Sequence, residues 1–263
     1  MSERRGFVAG LLGLFGSAGC KPKPTTQRTA ALKHEPWVLW PSGEPPAGGW
    51  PILLFLHGQG EAAWVVDGDA QTETEHGPEA VLAHESPAAL HRAHDPRVQT
   101  LWERFVVVAP QAVNDQGLAR YWRWQDDWVK RRVLADMEKV LATGRANPER
   151  LYACGFSRGG VGVLQLDSSS GPLQFRKIVT ADAQALTDLR AVADRRREVR
   201  VYYARSTFQD ILGPHVEAER AFAGAAPQVT FIPTEVSGRD GDAHIAMCSK
   251  VFANDEVYRW LLT

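Results

Sequence analysis

The chain has 263 residues, 44% hydrophobic and 23% charged, which excludes a mostly disordered polypeptide and leaves room for one large domain or two small ones. Thirty Lys and Arg stand against 31 Asp and Glu, so no field of one sign exists to track nucleic acid. Three cysteines, Cys20, Cys154 and Cys248, make neither a CxxC pair nor a zinc spacing and are too few for a disulfide scaffold.

Arg4 and Arg5 open a segment in which residues 6–19 carry no charge. That stretch is too short to span a bilayer and suits the apolar centre of a signal peptide, so residues 1–19 are predicted to be an export leader. Arg4-Arg5-Gly6-Phe7-Val8 is similar to a twin-arginine signal. Ser17-Ala18-Gly19-Cys20 resembles a bacterial lipobox, with Ser17 where Leu is preferred. Export would place the protein in the periplasm, and a lipidated Cys20 would tether it to a membrane. Residues 20–35 have linker composition, and the folded domain is expected over 36–263. No apolar run beyond the leader approaches the length of a membrane span.

Past the linker, short apolar runs alternate with helical stretches. Pro51–His57, Arg104–Pro110, Arg150–Gly155, Arg176–Ala181, Glu198–Ala204 and Gln228–Thr234 read as strands buried on both faces, and Trp37–Trp40 as an outer strand. Helices are predicted over Asp126–Thr143, Arg158–Leu166, His215–Ala223 and His244–Phe252, with another near 78–93. The alternation predicts an α/β fold: a mostly parallel sheet of about seven strands, with helices on both faces.

Gly155-Phe156-Ser157-Arg158-Gly159 fits G-x-S-x-G. The bare pattern is common, but here an apolar strand precedes it and a helix-compatible segment follows. This strand–turn–helix puts a serine hydroxyl above the sheet on a turn that needs small residues two before and two after. A serine becomes a nucleophile when a base takes its proton. In such folds the acid and then the histidine follow the serine along the chain. Only His215 and His244 follow Ser157. His215 is expected at a solvated helix start. His244 lies in Gly238–His244, read as a loop after the last strand, and is the predicted base. Two acids qualify: Asp210, a short loop after the strand Glu198–Ala204, and Asp182, directly after Arg176–Ala181. Oxyanion donors are expected from the backbone N–H groups of Arg158 and Gln59, with His57 structural.

Together these residues resemble the α/β-hydrolase superfamily. More narrowly, the chain resembles the carboxylesterase/phospholipase-like predicted peptidases, relatives of dienelactone hydrolases and feruloyl esterases. The resemblance runs from about residue 36 to the end. It rests on Phe55-Leu56-His57-Gly58-Gln59-Gly60-Glu61, His76-Gly77-Pro78, Val106–Gln111, Asp210-Ile211-Leu212-Gly213-Pro214 and Asn254–Leu261. Arg158 and Gly213 depart from its usual residues. The resemblance implies Asp210 as the acid, an acyl-enzyme, a small-molecule ester as substrate, and no metal or organic cofactor. A peptidase with the same three residues, or a non-catalytic envelope binding protein on the same scaffold, is the alternative.

Trp122 and Trp124 fall on the side of the sheet where the site is expected. They are read either as a stacking surface for substrate or as plain packing. His84, His91 and His94 are read as a solvated helix face, and Cys154 and Cys248 as buried thiols.

Overall fold

A computed structural model describes residues 35–61, 63–64, 81–114, 124, 126–169, 171 and 173–263. The leader, Cys20, most of the linker, His76-Gly77-Pro78 and Trp122 lie outside the described residues. Residues Leu32–Thr263 form one unit.

The apolar runs become strands where predicted. Strand β1 (Trp37–Leu39) is followed by β2 (Trp50–Leu56), the short β3 (Ala63–Trp64), and helices α1 (Pro87–Arg92) and α2 (Gln99–Arg104). Next come β4 (Val106–Ala109), the short β5 (Val113–Asn114), α3 (Asp127–Leu141), β6 (Ala146–Phe156) and α4 (Arg158–Ser168). The chain then alternates through β7 (Lys177–Ala181), α5 (Leu189–Asp194), β8 (Glu198–Ala204), α6 (Gln209–Phe222) and β9 (Val229–Thr234), and ends in α7 (Asp240–Phe252) and α8 (Asp255–Leu262). Seven strands form one sheet in the order β1-β4-β2-β6-β7-β8-β9. Only β1 is antiparallel to its neighbour. Strands β3 and β5 pair with each other in a small parallel sheet.

The two-residue period of β2 divides the core. Ile52, Leu54 and Leu56 face Val133 and Met137 of α3 and Val163 of α4. Leu53 and Phe55 face Leu101 of α2, Phe252 of α7, and Tyr258 and Leu261 of α8. A strand covered on both sides cannot carry polar alternation, which is why its sequence is a continuous apolar run. Among the described residues no helix is long and apolar enough to cross a membrane.

Three helix starts differ from the sequence reading. Instead of one helix near 78–93, α1 begins at Pro87. Ser86 caps it by accepting from Ala89 N–H at 3.2 Å, and the fixed φ of proline suits the first helical position. Helix α6 begins at Gln209 and runs through Pro214 instead of starting after it. A proline this near the start leaves only the carbonyl of Asp210, at the exposed end, without its usual donor. Helix α7 begins at Asp240 instead of His244, so His244 lies inside the helix and not where a loop meets it.

Candidate active site

Strand β6 lies mid-sheet between β2 and β7. Where it passes into α4, Ser157 sits at φ 53°, ψ −119°, a conformation that costs a non-glycine residue energy and persists only when its surroundings hold it. They do. Ser157 N–H donates to the Ala181 carbonyl at 2.9 Å, and the Ser157 carbonyl accepts from Gly160 N–H at 3.0 Å and Gln184 N–H at 3.3 Å. The flanking glycines are obligatory. A Cβ on Gly155 would lie 2.2 Å from the Gly159 carbonyl oxygen, and one on Gly159 would lie 1.8 Å from that of Leu56.

His244, in the first turns of α7, packs its ring over Phe156 with centroids 4.8 Å apart. Its Nδ1 donates to Asp182 Oδ2 at 2.6 Å. Asp182 follows β7 at φ 47° and is fully buried. Its Oδ1 accepts from Ala204 N–H at 3.0 Å, and its Oδ2 also accepts from the Thr207 hydroxyl at 2.7 Å. With its proton on Nδ1, the neutral imidazole presents Nε2 as an acceptor. Ser157 and His244 line one cavity of about 400 Å³, together with Gln59, Gly60, Glu61, His84, Gln184, Phe208 and Asp210 among others. A more open hollow of about 690 Å³ beside Arg97 and Lys250 contains none of the residues of the Ser157 cavity.

The structure pairs the histidine with the other acid. His244 is bonded to Asp182, the sequence alternative, and not to Asp210. Asp210 stands exposed in the first turn of α6, where a carboxylate suits the positive end of the helix. The end of β8 and the residues after it turn inward instead: Ala204 N–H and the Thr207 hydroxyl donate to Asp182. Thr207, invisible in the sequence reading, is signalled only by its place just beyond a strand end. His215, read as solvated, is fully buried; its Nδ1 donates to the Ile211 carbonyl at 2.8 Å.

The expected oxyanion residues fall beside the serine. Gln59 lines the cavity. Arg158 opens α4, where backbone N–H groups point out of the helix end. Its guanidinium donates to Gln184 Oε1 at 3.1 Å. Trp124 is not a substrate wall. It is 2% exposed, its indole N–H donates to the His57 carbonyl at 3.0 Å, and its ring meets that of His57 edge-on at 4.9 Å. Cys154 and Cys248 are buried free thiols, and burial raises both well above the usual thiol range. Among the described residues no cluster of His, Cys, Asp and Glu could hold a metal.

His57 braces the loop that carries Gln59. Its Nε2 accepts from Ala112 N–H at 3.0 Å, so Nδ1 holds the proton and donates to the Gly58 carbonyl at 2.6 Å. Burial lowers its pKa to about 4. His91 of α1 is likewise buried, not solvated; it donates to the Phe105 carbonyl at 3.0 Å, and burial lowers it to about 4. In the unfolded chain each ring takes up its proton near pH 6.5, in the fold only near 4. Between those values the unfolded state binds more protons, so acid favours it. The stability at stake is fully present above pH 6.5 and lost as pH falls toward 4, about 3 kcal/mol per ring. Urea unfolding should show its midpoint dropping steeply between pH 6.5 and 4; a flat midpoint would show that the two rings are protonated in the fold.

Comparison with protein-family models and with curated protein sequences gives no match. Solved structures do match. A thermostable esterase is 19% identical with a TM-score of 0.60; the match covers 86% of this chain but only 57% of that one. A substrate-bound fluorophosphonate-binding serine hydrolase of Staphylococcus aureus is 12% identical at TM-score 0.54, covering 86% and 91% of the two chains. A ferulic acid esterase is 14% identical at TM-score 0.54, covering 81% and 86%. At such identities the likeness is one of fold, and the chain has the α/β-hydrolase fold that its sequence resembles.

Proposed function

We propose that the protein is a serine hydrolase that cleaves carboxylic esters through Ser157, His244 and Asp182. The observation that carries this reading is the 2.6 Å bond from His244 to a buried Asp182, with His244 and Ser157 lining one cavity. A buried carboxylate with three donors is a costly arrangement for a purely structural role. It serves an imidazole that becomes charged during turnover.

In the proposed reaction, Ser157 Oγ attacks the ester carbonyl carbon while His244 Nε2 takes the hydroxyl proton. The carbonyl oxygen becomes an oxyanion facing the backbone N–H groups of Arg158 and Gln59, and Asp182 stabilises the imidazolium without accepting its proton. The C–O bond to the alcohol then breaks, and Nε2 returns the proton to the leaving oxygen. Water repeats the sequence on the acyl-enzyme and frees the acid. No step calls for a metal or an organic cofactor.

The test pairs an activated phosphonate with substrates. A fluorophosphonate should leave one adduct, on Ser157, and p-nitrophenyl esters should be hydrolysed far faster than the matching anilides. Adduct formation elsewhere, or none, would overturn the proposal. Anilides turned over as fast as esters would favour a peptidase.

A further inference from the structure

Among the described residues two large hydrophobic side chains are strongly exposed, Phe208 at 40% and Ile245 at 45%. They come from different elements, Phe208 from the residue before α6 and Ile245 from α7. Both nevertheless line the cavity that holds Ser157 and His244. Isolated exposed apolar residues are ordinary, but two that converge on one cavity form a surface that a ligand can take out of water. Ile211, buried in the first turn of α6, continues this surface inward. Phe208 has a defined seat. Its Cζ lies 3.5 Å from where a Cβ on Gly241 would be, and its ring is 6.2 Å from that of His244.

The position relative to His244 says which part of a substrate this surface meets. Under the proposed function, on which this inference rests, His244 returns the proton to the leaving oxygen. The alcohol portion of the ester therefore departs past the imidazole. Phe208 packs near that ring, and Ile245 is the next residue along α7. We infer that Phe208, Ile245 and Ile211 form the subsite for the alcohol portion, and that the substrates are esters of apolar or aromatic alcohols. Small or polyhydroxylated alcohols would leave the surface wet.

The experiment holds the acyl group constant and varies the alcohol: methyl, butyl, benzyl and 2-hydroxyethyl butyrate. The kcat/KM for benzyl butyrate should exceed that for the methyl and 2-hydroxyethyl esters by about tenfold or more, chiefly through KM, as burial of one ring against a half-open wall would give. Phe208→Ala and Ile245→Ala should each cut the benzyl-to-methyl ratio about threefold or more, and the double variant should bring it near one. The milder Phe208→Leu and Ile245→Val should give intermediate ratios, with melting curves showing each variant folded. The hexanoate-to-acetate ratio of methyl esters should keep its wild-type value in all of them.

Three outcomes would overturn the inference. The alcohol series shows no preference; the preference survives the double variant; or the variants change the acyl ratio instead. Failure to hydrolyse any ester would overturn the proposed function and this inference together, whereas hydrolysis blind to the alcohol would overturn this inference alone.

Discussion

Ser157→Ala should lower kcat by about 10⁵-fold to 10⁶-fold and abolish fluorophosphonate labelling, while leaving the melting temperature within a few degrees of wild type. Loss of the Oγ removes the covalent route altogether, so what remains is the acceleration that oxyanion donors and binding supply on their own. The fold should tolerate the change. The turn is fixed by backbone hydrogen bonds to Ala181, Gly160 and Gln184 and by the two flanking glycines, none of which involves the hydroxyl. Alanine meets the same cost at φ 53° as serine does. A variant that keeps more than a hundredth of wild-type turnover would place the nucleophile elsewhere.

Asp182→Asn should cost about 10⁴ in kcat. Asparagine is nearly the same size, so Ala204, Thr207 and His244 keep their places, but a neutral amide cannot balance an imidazolium. It can also face Nδ1 with an N–H, which moves the imidazole proton to Nε2, where the serine proton must go. Asp210→Asn should cost less than tenfold, because Asp210 is exposed and the imidazole is bonded to Asp182 instead. Steady-state rates on one p-nitrophenyl ester decide it. Should the two variants rank the other way, the 2.6 Å pair is structural and the acid comes from α6.

The two predicted losses differ in how far the sequence foretold them. Ser157 was legible because its turn imposes a local pattern: glycines at 155 and 159 have no room for a Cβ, and the requirement falls within five residues. His244 was legible by elimination, although the start of α7 at Asp240 was not, because the glycines at 238 and 241 read as a loop. The strands were legible because burial on both faces writes a continuous apolar run. Asp182 is a different matter. Both it and Asp210 follow a strand end, and what separates them is which way the chain turns next. That turn is set by Thr207 and Ala204 reaching toward β7, a contact across more than twenty residues that no local pattern records. The Asp210-Ile211-Leu212-Gly213-Pro214 resemblance pointed to an acid loop, and the structure makes it a helix. Trp124 failed for the related reason that an aromatic residue near a site reads alike whether it faces the cavity or, as here, the carbonyl of His57.

With the imidazole anchored to the end of β7, the segment that follows β8 is spared one duty. Ala204 at the end of β8 and Thr207 just beyond it still donate to Asp182, and the next residues, Phe208, Asp210 and Ile211, line the cavity. Under the proposed function, the exposed Phe208 and Asp210 can then be substituted to change which substrates enter while the His244–Asp182 pair keeps its contacts.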